Sequence, residues 1–416
     1  MSLRKALSGC LTTIVFAGVF GQAAAAGPSQ PPRLLSSEEA MDVDAAALAA
    51  ASKISKEQSR TRLAIQGDSR ELIASLRQTY GDRVAGIYRE WTPKPRIVVR
   101  LKGAGSDRVR SVALPSGSVE VAVIAGAKVT TDELNKARAA KATALRTAFP
   151  TMGATWIDER SGELVISVDT ATASKVDKDL ATVIAGVPAR IVAGGRDFNA
   201  ELSGSGSLDI PDPGTGTRLC TGGFVVNILS GETSTPGLTS AGHCLDSTAS
   251  YTTLDGFGAS MVLAGQAYDA SSDVQWYTSP TEDYFEATFF SDEVTKRVVD
   301  QTRYVADTAV GDAVCKFGST SGASCGVVTS VNYAPSSDCN GQTCAATYVL
   351  VEPAAGETQF GCAAGDSGGP VFADSTAYGI LKGCGGQVGT SIYAARMFYT
   401  PLDALAANDV YVMIPF

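Results

Sequence analysis

The distribution of its cysteines constrains this chain most. Eight of the nine cysteines follow Leu219, and none lies between Gly27 and that residue. An even number in an exported chain favours four disulfides, and their confinement to one part of the chain indicates a domain boundary. With one histidine and no Cys-x-x-Cys pair, a metal site is not predicted. The eight are Cys220, Cys244, Cys315, Cys325, Cys339, Cys344, Cys362 and Cys384.

The N-terminus predicts export. Arg4 and Lys5 precede a mostly apolar run over 6–20, and four alanines follow. This order is typical of a signal peptide, here 1–26, so we expect a secreted protein. The run is shorter than the roughly 20 residues that span a membrane, and no later stretch is apolar enough, so no membrane association is expected. The residues before Cys10 also fit a lipid attachment site, but almost no apolar segment precedes them.

The two halves of the chain carry opposite net charge. Residues 1–200 contain 27 Lys and Arg against 20 Asp and Glu, whereas 201–416 contain 7 against 23. Net charges of +7 and −16 attract, so we expect the basic half to dock on the acidic half. The basic residues alternate with acids on predicted helix faces, which indicates a solvated surface, and no nucleic-acid partner is expected.

Residues 27–200 alternate helical and strand patterns, which is typical of an α+β unit. Apolar spacing predicts a helix from Lys56 to Gly81, and Thr130 with Glu133 forms a capping box that begins a second helix. A third helix is predicted over 173–184. Runs rich in β-branched residues predict strands over 96–101, 119–124, 163–168 and 189–192.

A linker is predicted over 201–217, because Gly, Ser, Pro and Asp dominate its residues 204–216. We expect the point of processing to lie in it. Beyond the linker, short β-prone runs such as 223–229 and 348–351 are separated by Gly, Ser and Asn. Regularly spaced short strands with turn signals predict an all-β sandwich or barrel.

The most specific string in the chain is Gly365-Asp366-Ser367-Gly368-Gly369-Pro370. A serine hydroxyl is a weak nucleophile until a base takes its proton, and glycines let the backbone approach a substrate closely. The string also fits the G-x-S-x-G turn of α/β-hydrolases, but in that fold the histidine follows the serine. Here the single histidine, His243, precedes Ser367, so an esterase of that fold is disfavoured. A Ser–His mechanism makes His243 the base by elimination.

Together with Thr239-Ser240-Ala241-Gly242-His243-Cys244, the serine string resembles the motifs of trypsin-like peptidases, in particular the bacterial branch that contains α-lytic protease and the streptogrisins. The resemblance covers nearly all of 218–416. It implies a mainly β catalytic domain of chymotrypsin-like fold, a double six-stranded antiparallel β-barrel. It also implies a monomeric serine endopeptidase that hydrolyses proteins or peptides through an acyl-enzyme, without a cofactor. In that branch an N-terminal pro-region assists folding and inhibits until it is cleaved away, which is the role implied for 27–200.

The resemblance also implies the catalytic acid and the oxyanion donors. In that branch an aspartate on a strand follows the histidine by a few tens of residues, and Asp273 lies 30 residues after His243. Asp269 is the alternative, and the strand-like, apolar flanks of Asp273 favour the latter. The oxyanion would be bound by the backbone N–H groups of Gly365 and Ser367.

Cysteine pairing and a buried ion pair are implied in the same way. Lys316 stands where the branch often has an arginine that pairs with the acid before the nucleophile, so we expect a buried ion pair between Lys316 and Asp366. The implied disulfides are Cys220–Cys244, Cys315–Cys325, Cys362–Cys384 and, as an extra small loop, Cys339–Cys344.

Some positions depart from the family pattern. Gln275 stands where a small residue is usual, and Lys382 stands where serine commonly bonds to the catalytic acid. Lys382 either points to solvent or favours acidic residues in substrates. The stretch 357–362 should line the primary pocket and contains no aspartate, which disfavours a preference for Arg or Lys. The alternative to an enzyme is a catalytically weak or inactive binding protein on the same fold, which would more naturally have lost a triad residue.

Overall fold

The structure is a computed structural model. It describes residues 33–176, 179–194, 197–199, 206–212, 216–231, 233–254, 256–280, 285–354, 357–387 and 392–415. The predicted signal peptide, 1–26, lies outside the described residues. Among the described residues, no helix has the length and apolar character needed to cross a membrane.

The long helices of the N-terminal region begin at side-chain caps. Ser36, Ser55 and Thr130 each accept a hydrogen bond from the backbone N–H three residues on, and the Glu or Gln there bonds back. The capping box predicted at Thr130 is therefore present. The α-helices are α1 Ser37–Ser52, α2 Lys56–Asp68, α3 Arg70–Tyr80, α4 Thr131–Ala148, α5 Thr170–Ala173, α6 Leu180–Ala185 and α7 Asp403–Ala406.

Two helix-on-sheet layers make up the N-terminal region. Its strands are β1 Arg33–Leu35, β2 Val84–Glu90, β3 Arg96–Lys102, β4 Arg108–Leu114, β5 Gly117–Ala127, β6 Ala154–Asp158, β7 Glu163–Val168, β8 Ala189–Ala193 and β9 Asp197–Asn199. In the first layer α2 and α3 bury Ile65, Ile73 and Leu76 against a sheet of order β2-β3-β5-β4. In the second, α4 and α6 bury Leu145 and Ala181 against β7.

The C-terminal region is built from strands. They are β10 Ser207–Asp212, β11 Gly216–Thr221, β12 Val225–Ser230, β13 Thr233–Ser240, β14 Ala249–Thr252, β15 Gly258–Tyr268, β16 Asp273–Thr278, β17 Thr288–Phe290, β18 Thr295–Val298, β19 Gln301–Thr302, β20 Ala313–Gly318, β21 Gly322–Ala334, β22 Asp338–Cys339, β23 Gln342–Thr343, β24 Tyr348–Pro353, β25 Phe360–Gly361, β26 Pro370–Ala373, β27 Thr376–Gln387, β28 Tyr393–Pro401 and β29 Val410–Val412.

These strands form two curved antiparallel sheets. The second runs β20-β26-β27-β28-β24-β21, and β21 pairs back with β20, which closes a six-stranded barrel. The first runs β11-β10-β14-β15-β16-β13-β12-β29, and in the described part of the chain β11 and β29 are not paired, so it is a half-barrel. The predicted fold class, mainly β and chymotrypsin-like, is confirmed, with one closed barrel instead of two.

Three strand pairings connect the N-terminal region to the C-terminal one. β6 pairs with β21, so that the sheet β6-β7-β8 continues the second barrel. β1 pairs in parallel with β18, and β9 pairs antiparallel with Gly383–Gly385 of β27. Among the described residues, strands of the two regions therefore pair at three places, and an isolated β-bridge also joins Tyr88 to Val310.

The structure differs from the sequence predictions at three segments. The helix predicted over 173–184 is wrong as one helix: α5 ends at Ala173, residues 174–176 form a turn, and α6 begins at Leu180. The helix predicted from Lys56 to Gly81 is two helices, because Ser69 leaves the helical path and its hydroxyl bonds to the carbonyl of Ile65. In the predicted linker, Ser207–Asp212 forms β10 and fully buries Leu208 and Ile210 in the first sheet. Composition suggested a linker there, but two apolar side chains at alternate positions give one buried face, and the strand pairs with β11 on one side and β14 on the other.

Candidate active site

The three side chains predicted as a triad meet between the two sheets. His243 Nδ1 lies 2.8 Å from Asp273 Oδ2, and His243 Nε2 lies 2.8 Å from Ser367 Oγ. All three residues are buried. A hydroxyl bonded to an imidazole that is bonded in turn to a carboxylate is an arrangement for nucleophilic attack by the hydroxyl.

Each of these residues is placed by the end of a strand. His243 follows β13, Asp273 begins β16, and Ser367 lies in the turn before β26. The His243 backbone N–H donates to Asp273 Oδ1 at 2.9 Å, so both carboxylate oxygens are bound. Thr221, at the end of β11, donates its N–H to the Ser367 carbonyl at 2.7 Å and thereby ties the serine turn to the first sheet.

Asp273 is an ionised carboxylate in a buried position. Burial alone would raise its pKa, but the charges of His243 and Lys382, and their hydrogen bonds, hold the pKa of Asp273 below its ordinary value. Asp269, the alternative acid, is exposed and accepts hydrogen bonds from Ser271 and Ser272, which keep its side chain within its own turn. The contact with His243 is therefore made by Asp273.

The serine turn is held from below by a buried ion pair. Lys316 Nζ lies 2.7 Å from Asp366 Oδ2, and both side chains are fully buried, as expected from the sequence. Desolvation by burial lowers the pKa of Lys316, while the charge of Asp366 opposes that shift. Asp366 also accepts from the backbone N–H groups of Thr320 and Ala363, which fixes the turn around Ser367.

Glycines in this turn are required by close packing. Gly368 has a φ of +90°, and a Cβ there would lie 2.2 Å from the Thr221 carbonyl oxygen. Gly365, one of the two predicted oxyanion donors, has a φ of +102°, and its carbonyl accepts a 2.7 Å hydrogen bond from Thr221 Oγ1. Sequence reasoning missed Thr221, because no local motif marks a threonine that acts across the barrel interface.

Lys382 neither points to solvent nor faces a substrate. It is fully buried, and its ammonium group donates to Asp273 Oδ2, the oxygen that His243 also contacts. Its backbone carbonyl accepts from Ser367 Oγ at 3.3 Å. The suggestion that Lys382 binds acidic residues of substrates is wrong, since its charge is already paired with Asp273 inside the protein.

The other departure, Gln275, supports the histidine turn. Its amide donates to the carbonyl of Cys244 and to the hydroxyl of Tyr277, and the side chain is fully buried. A small residue could not reach the Cys244 carbonyl. Gln275 therefore holds the residue that follows His243.

Four disulfides are present in the described residues, in the pairing that the family resemblance implies. Cys220–Cys244 joins the end of β11 to the histidine turn, and Cys362–Cys384 joins the serine turn to β27. Cys315–Cys325 links β20 to β21, and Cys339–Cys344 joins two cysteines that are five positions apart in the sequence and closes a small loop. The first two place both halves of the site on cross-linked backbone.

Part of the predicted specificity pocket lies in the second barrel. Phe360 and Gly361 form β25 and pair with Ala394 and Tyr393 of β28. The Gly361 backbone N–H donates to Ser324 Oγ at 3.0 Å. Glu357, at the start of this stretch, is exposed.

Comparison with known proteins places these features in context. No protein-family model matches the chain. It is 27% identical over 347 residues to streptogrisin-D of Streptomyces griseus, covering 81% of this chain and 78% of that protein. It is 27% identical over 356 residues to serine protease 1 of Streptomyces fradiae, covering 82% and 86%. A solved Cellulomonas bogoriensis chymotrypsin aligns with 52% of this chain and 100% of its own at 21% identity and a TM-score of 0.38. Both sequence alignments are longer than 218–416, so they extend into the N-terminal region.

Proposed function

We propose that the chain is a serine endopeptidase of the trypsin/chymotrypsin type, like the serine proteases that it resembles, and that it is secreted as a zymogen and cleaves peptide bonds through an acyl-enzyme on Ser367. One observation carries the proposal: Asp273, His243 and Ser367 form an unbroken hydrogen-bonded chain, with 2.8 Å on either side of the imidazole. A fold alone does not confer activity, so the proposal depends on this geometry.

In the proposed mechanism His243 is the general base and then the general acid. Its Nε2 takes the proton of Ser367 Oγ as that oxygen bonds to the substrate carbonyl carbon, and an electron pair moves onto the carbonyl oxygen. The imidazolium gives the proton to the leaving amine, the C–N bond breaks, and an acyl-enzyme remains. Water, deprotonated by His243, then attacks the ester and releases the acid product and free Ser367.

In the tetrahedral intermediate, the negative oxyanion and the positive imidazolium would be stabilised by groups that the fold already holds in position. The N–H groups of Gly365 and Ser367 are the proposed donors to the oxyanion, and loss of one such donor typically costs about 10²–10³ in kcat. Asp273 holds the proton on Nδ1 and stabilises the imidazolium. The turn that carries the oxyanion donors is anchored by the Lys316–Asp366 ion pair.

We propose that the N-terminal region, 27–200, is the pro-region, which assists folding and inhibits. Strand β9 supports inhibition, because its residues 197–199 pair with Gly383–Gly385, immediately after the Lys382 carbonyl that contacts Ser367. An antiparallel strand at that edge occupies the place where an extended substrate would pair. Processing is proposed in residues 200–206, between β9 and β10, since β10 belongs to the first sheet.

Buried ion pairs across the two regions support docking. Arg297 binds both oxygens of Asp44 of α1, at 2.8 and 2.7 Å, and both side chains are buried. Arg89 of β2 pairs with Asp312, and both are buried. Only the second pair has the polarity expected from a basic pro-region on an acidic catalytic region. Docking therefore depends on specific pairs as well as on net charge.

The test compares the unmutated full-length chain with its Ser367→Ala variant. The control is Ser234→Ala, which replaces an exposed serine on β13. We expect the unmutated and Ser234→Ala chains to self-cleave within 200–206 and to be labelled by a serine-directed phosphonate. Ser367→Ala should do neither. The size of the fragments, the N-terminal sequence of the larger one and phosphonate labelling are measured. Absence of cleavage and labelling in the unmutated chain would favour an inactive binding protein.

A further inference from the structure

Lys382 lies at the centre of the site and has no part in the mechanism above. Its ammonium group contacts Asp273 Oδ2 and donates to the Asp338 carbonyl at 3.0 Å. The rings of Tyr268 and Tyr348 lie 5.9 and 5.6 Å from it. The side chain is fully buried, and a charged amine is buried in proteins only when it is paired. Its pairing with the catalytic acid therefore has consequences for His243.

We propose that Lys382 is a positioning residue: it holds Asp273 oriented for His243, and its charge extends activity to lower pH than a neutral residue at this position would allow. The proposal rests on the triad assigned under the proposed function. Asp273 Oδ2 is hydrogen-bonded to both the imidazole of His243 and the ammonium group of Lys382. When His243 is protonated, its positive charge and that of Lys382 are therefore separated by a single shared carboxylate oxygen.

The direction of the effect follows from the charges. Protonation of His243 places a second positive charge beside that of Lys382, with one carboxylate shared between them. Like charges at this separation disfavour the protonated form, and buried pairs are little screened by salt. With Lys382 present, the ring gives up its proton at lower pH, and the neutral base needed for attack on the substrate persists further into acid.

The other ionisable groups around this site do not replace the ammonium group. Tyr268 of β15 has a pKa raised to about 12, and that of Tyr348 of β24 is raised well above its usual range, chiefly by burial. Both are therefore neutral where the enzyme would work. Asp338 of β22 and Asp269 in the turn before β16 are exposed carboxylates, so neither can supply a positive charge in place of the ammonium group.

The extra disulfide loop holds this arrangement together. Asp338, which accepts from Lys382, precedes Cys339 in the Cys339–Cys344 loop. The loop and the residues after it are hydrogen-bonded to the turn before Asp273. Asn340 Nδ2 donates to the Tyr268 carbonyl at 3.0 Å. The backbone N–H of Ala345 donates to the Ala270 carbonyl and Thr347 Oγ1 donates to the Ser271 carbonyl, both at 2.6 Å. A loop of the second barrel thus fixes both Lys382 and the backbone before the acid.

The pH dependence of kcat/KM tests the proposal. Lys382→Gln and Lys382→Ser remove the charge but keep a donor, and serine is the residue that the family commonly carries there, so this variant is expected to fold. Lys382→Arg keeps the charge and is the matched control. We expect the acid limb of the profile to move up by about one pH unit in both neutral variants and to stay in place in Lys382→Arg. A loss of activity in the neutral variants with an unmoved acid limb would overturn the proposal and leave Lys382 a structural residue.

A second measurement does not need activity. Because His243 is the single histidine of the chain, ¹⁵N-histidine labelling of the Ser367→Ala precursor gives the titration of one ring. Adding Lys382→Ser should move that titration to higher pH. An unmoved titration overturns the inference even if the enzyme is active. The titration of His243 could move in the Ser367→Ala chain while Ser367 of the unmutated chain is not labelled by the phosphonate. That result would support the inference and refute the proposed function.

Discussion

At the scale of single residues, the choice between Asp273 and Asp269 shows how burial assigns a role. Asp273 is fully buried and bonded to both nitrogen atoms that His243 offers it, the backbone N and Nδ1. Asp269 is exposed, and its carboxylate accepts a hydrogen bond from the backbone N–H of Ser271 within the same turn. A carboxylate can hold an imidazole in one tautomer only if it contacts the ring.

We therefore expect Asp273→Asn to lower kcat by about 10⁴, because an amide favours the wrong tautomer of His243. Asp269→Asn, the matched control, should leave kcat largely unchanged. Steady-state kinetics on both variants, with phosphonate titration of active sites, makes the comparison. Equal losses in the two variants would mean that the acid has been assigned to the wrong residue.

Motifs made the residue scale partly predictable. Ser367 and His243 lie in specific strings, and Lys316 was expected to pair with Asp366, as it does. The contacts of Lys382 could not be predicted, because an alternating strand pattern indicates on which face of the sheet a side chain lies but not which residues it contacts there. The partner, Asp273, is more than a hundred residues away and comes from the other sheet.

At the scale of elements, local signals predicted regular segments and failed where tertiary contacts decide. β7 was predicted with its observed bounds, and the cap of α4 was predicted from two residues. The break between α2 and α3 occurs at a buried serine, and nothing in the apolar spacing marks it. β10 lies in a segment whose composition is that of a linker, and only its pairing with β11 and β14 makes it a strand.

Helix α1 supplies a specific test of docking. Asp44 is buried, and its loss would leave the Arg297 charge uncompensated, which typically costs about 3–5 kcal/mol. In the Ser367→Ala precursor, Asp44→Ala should lower the free energy of unfolding by that order. Glu38→Ala, an exposed carboxylate of the same helix, should change it little. Urea unfolding gives both values, and similar losses in the two variants would contradict a special role for the Asp44–Arg297 pair.

At the scale of the whole molecule, the two regions share sheets, ion pairs and one candidate site. The second barrel extends into the N-terminal region through β6, and β9 pairs with β27 next to the serine. Opposite net charge predicted that the halves attract. It did not predict a buried pair of reversed polarity such as Asp44–Arg297, since net charge carries no information on individual contacts. Separation of the regions would expose groups whose protonation depends on docking, and stability should therefore depend on pH.

Asp374 makes that dependence specific. Burial first, and then the nearby charge of Asp44, raise the pKa of Asp374 to about 7, and its Oδ1 is buried without a hydrogen-bond partner among the described residues. An ordinary aspartate has a pKa of about 3.9, so the docked state binds a proton between pH 4 and 7 that the unfolded state does not. The contribution of Asp374 protonation to the free energy of unfolding is fully present below about pH 4, declines as pH rises and is lost above about 7.

The test compares two substitutions in the Ser367→Ala chain. Asp374→Asn should remove the decline of the free energy of unfolding with pH. Asp409→Asn, which changes an exposed aspartate and is the control, should keep it. Urea unfolding between pH 4 and 8 measures the slope, and an equal slope in the Asp374→Asn chain would contradict the assignment.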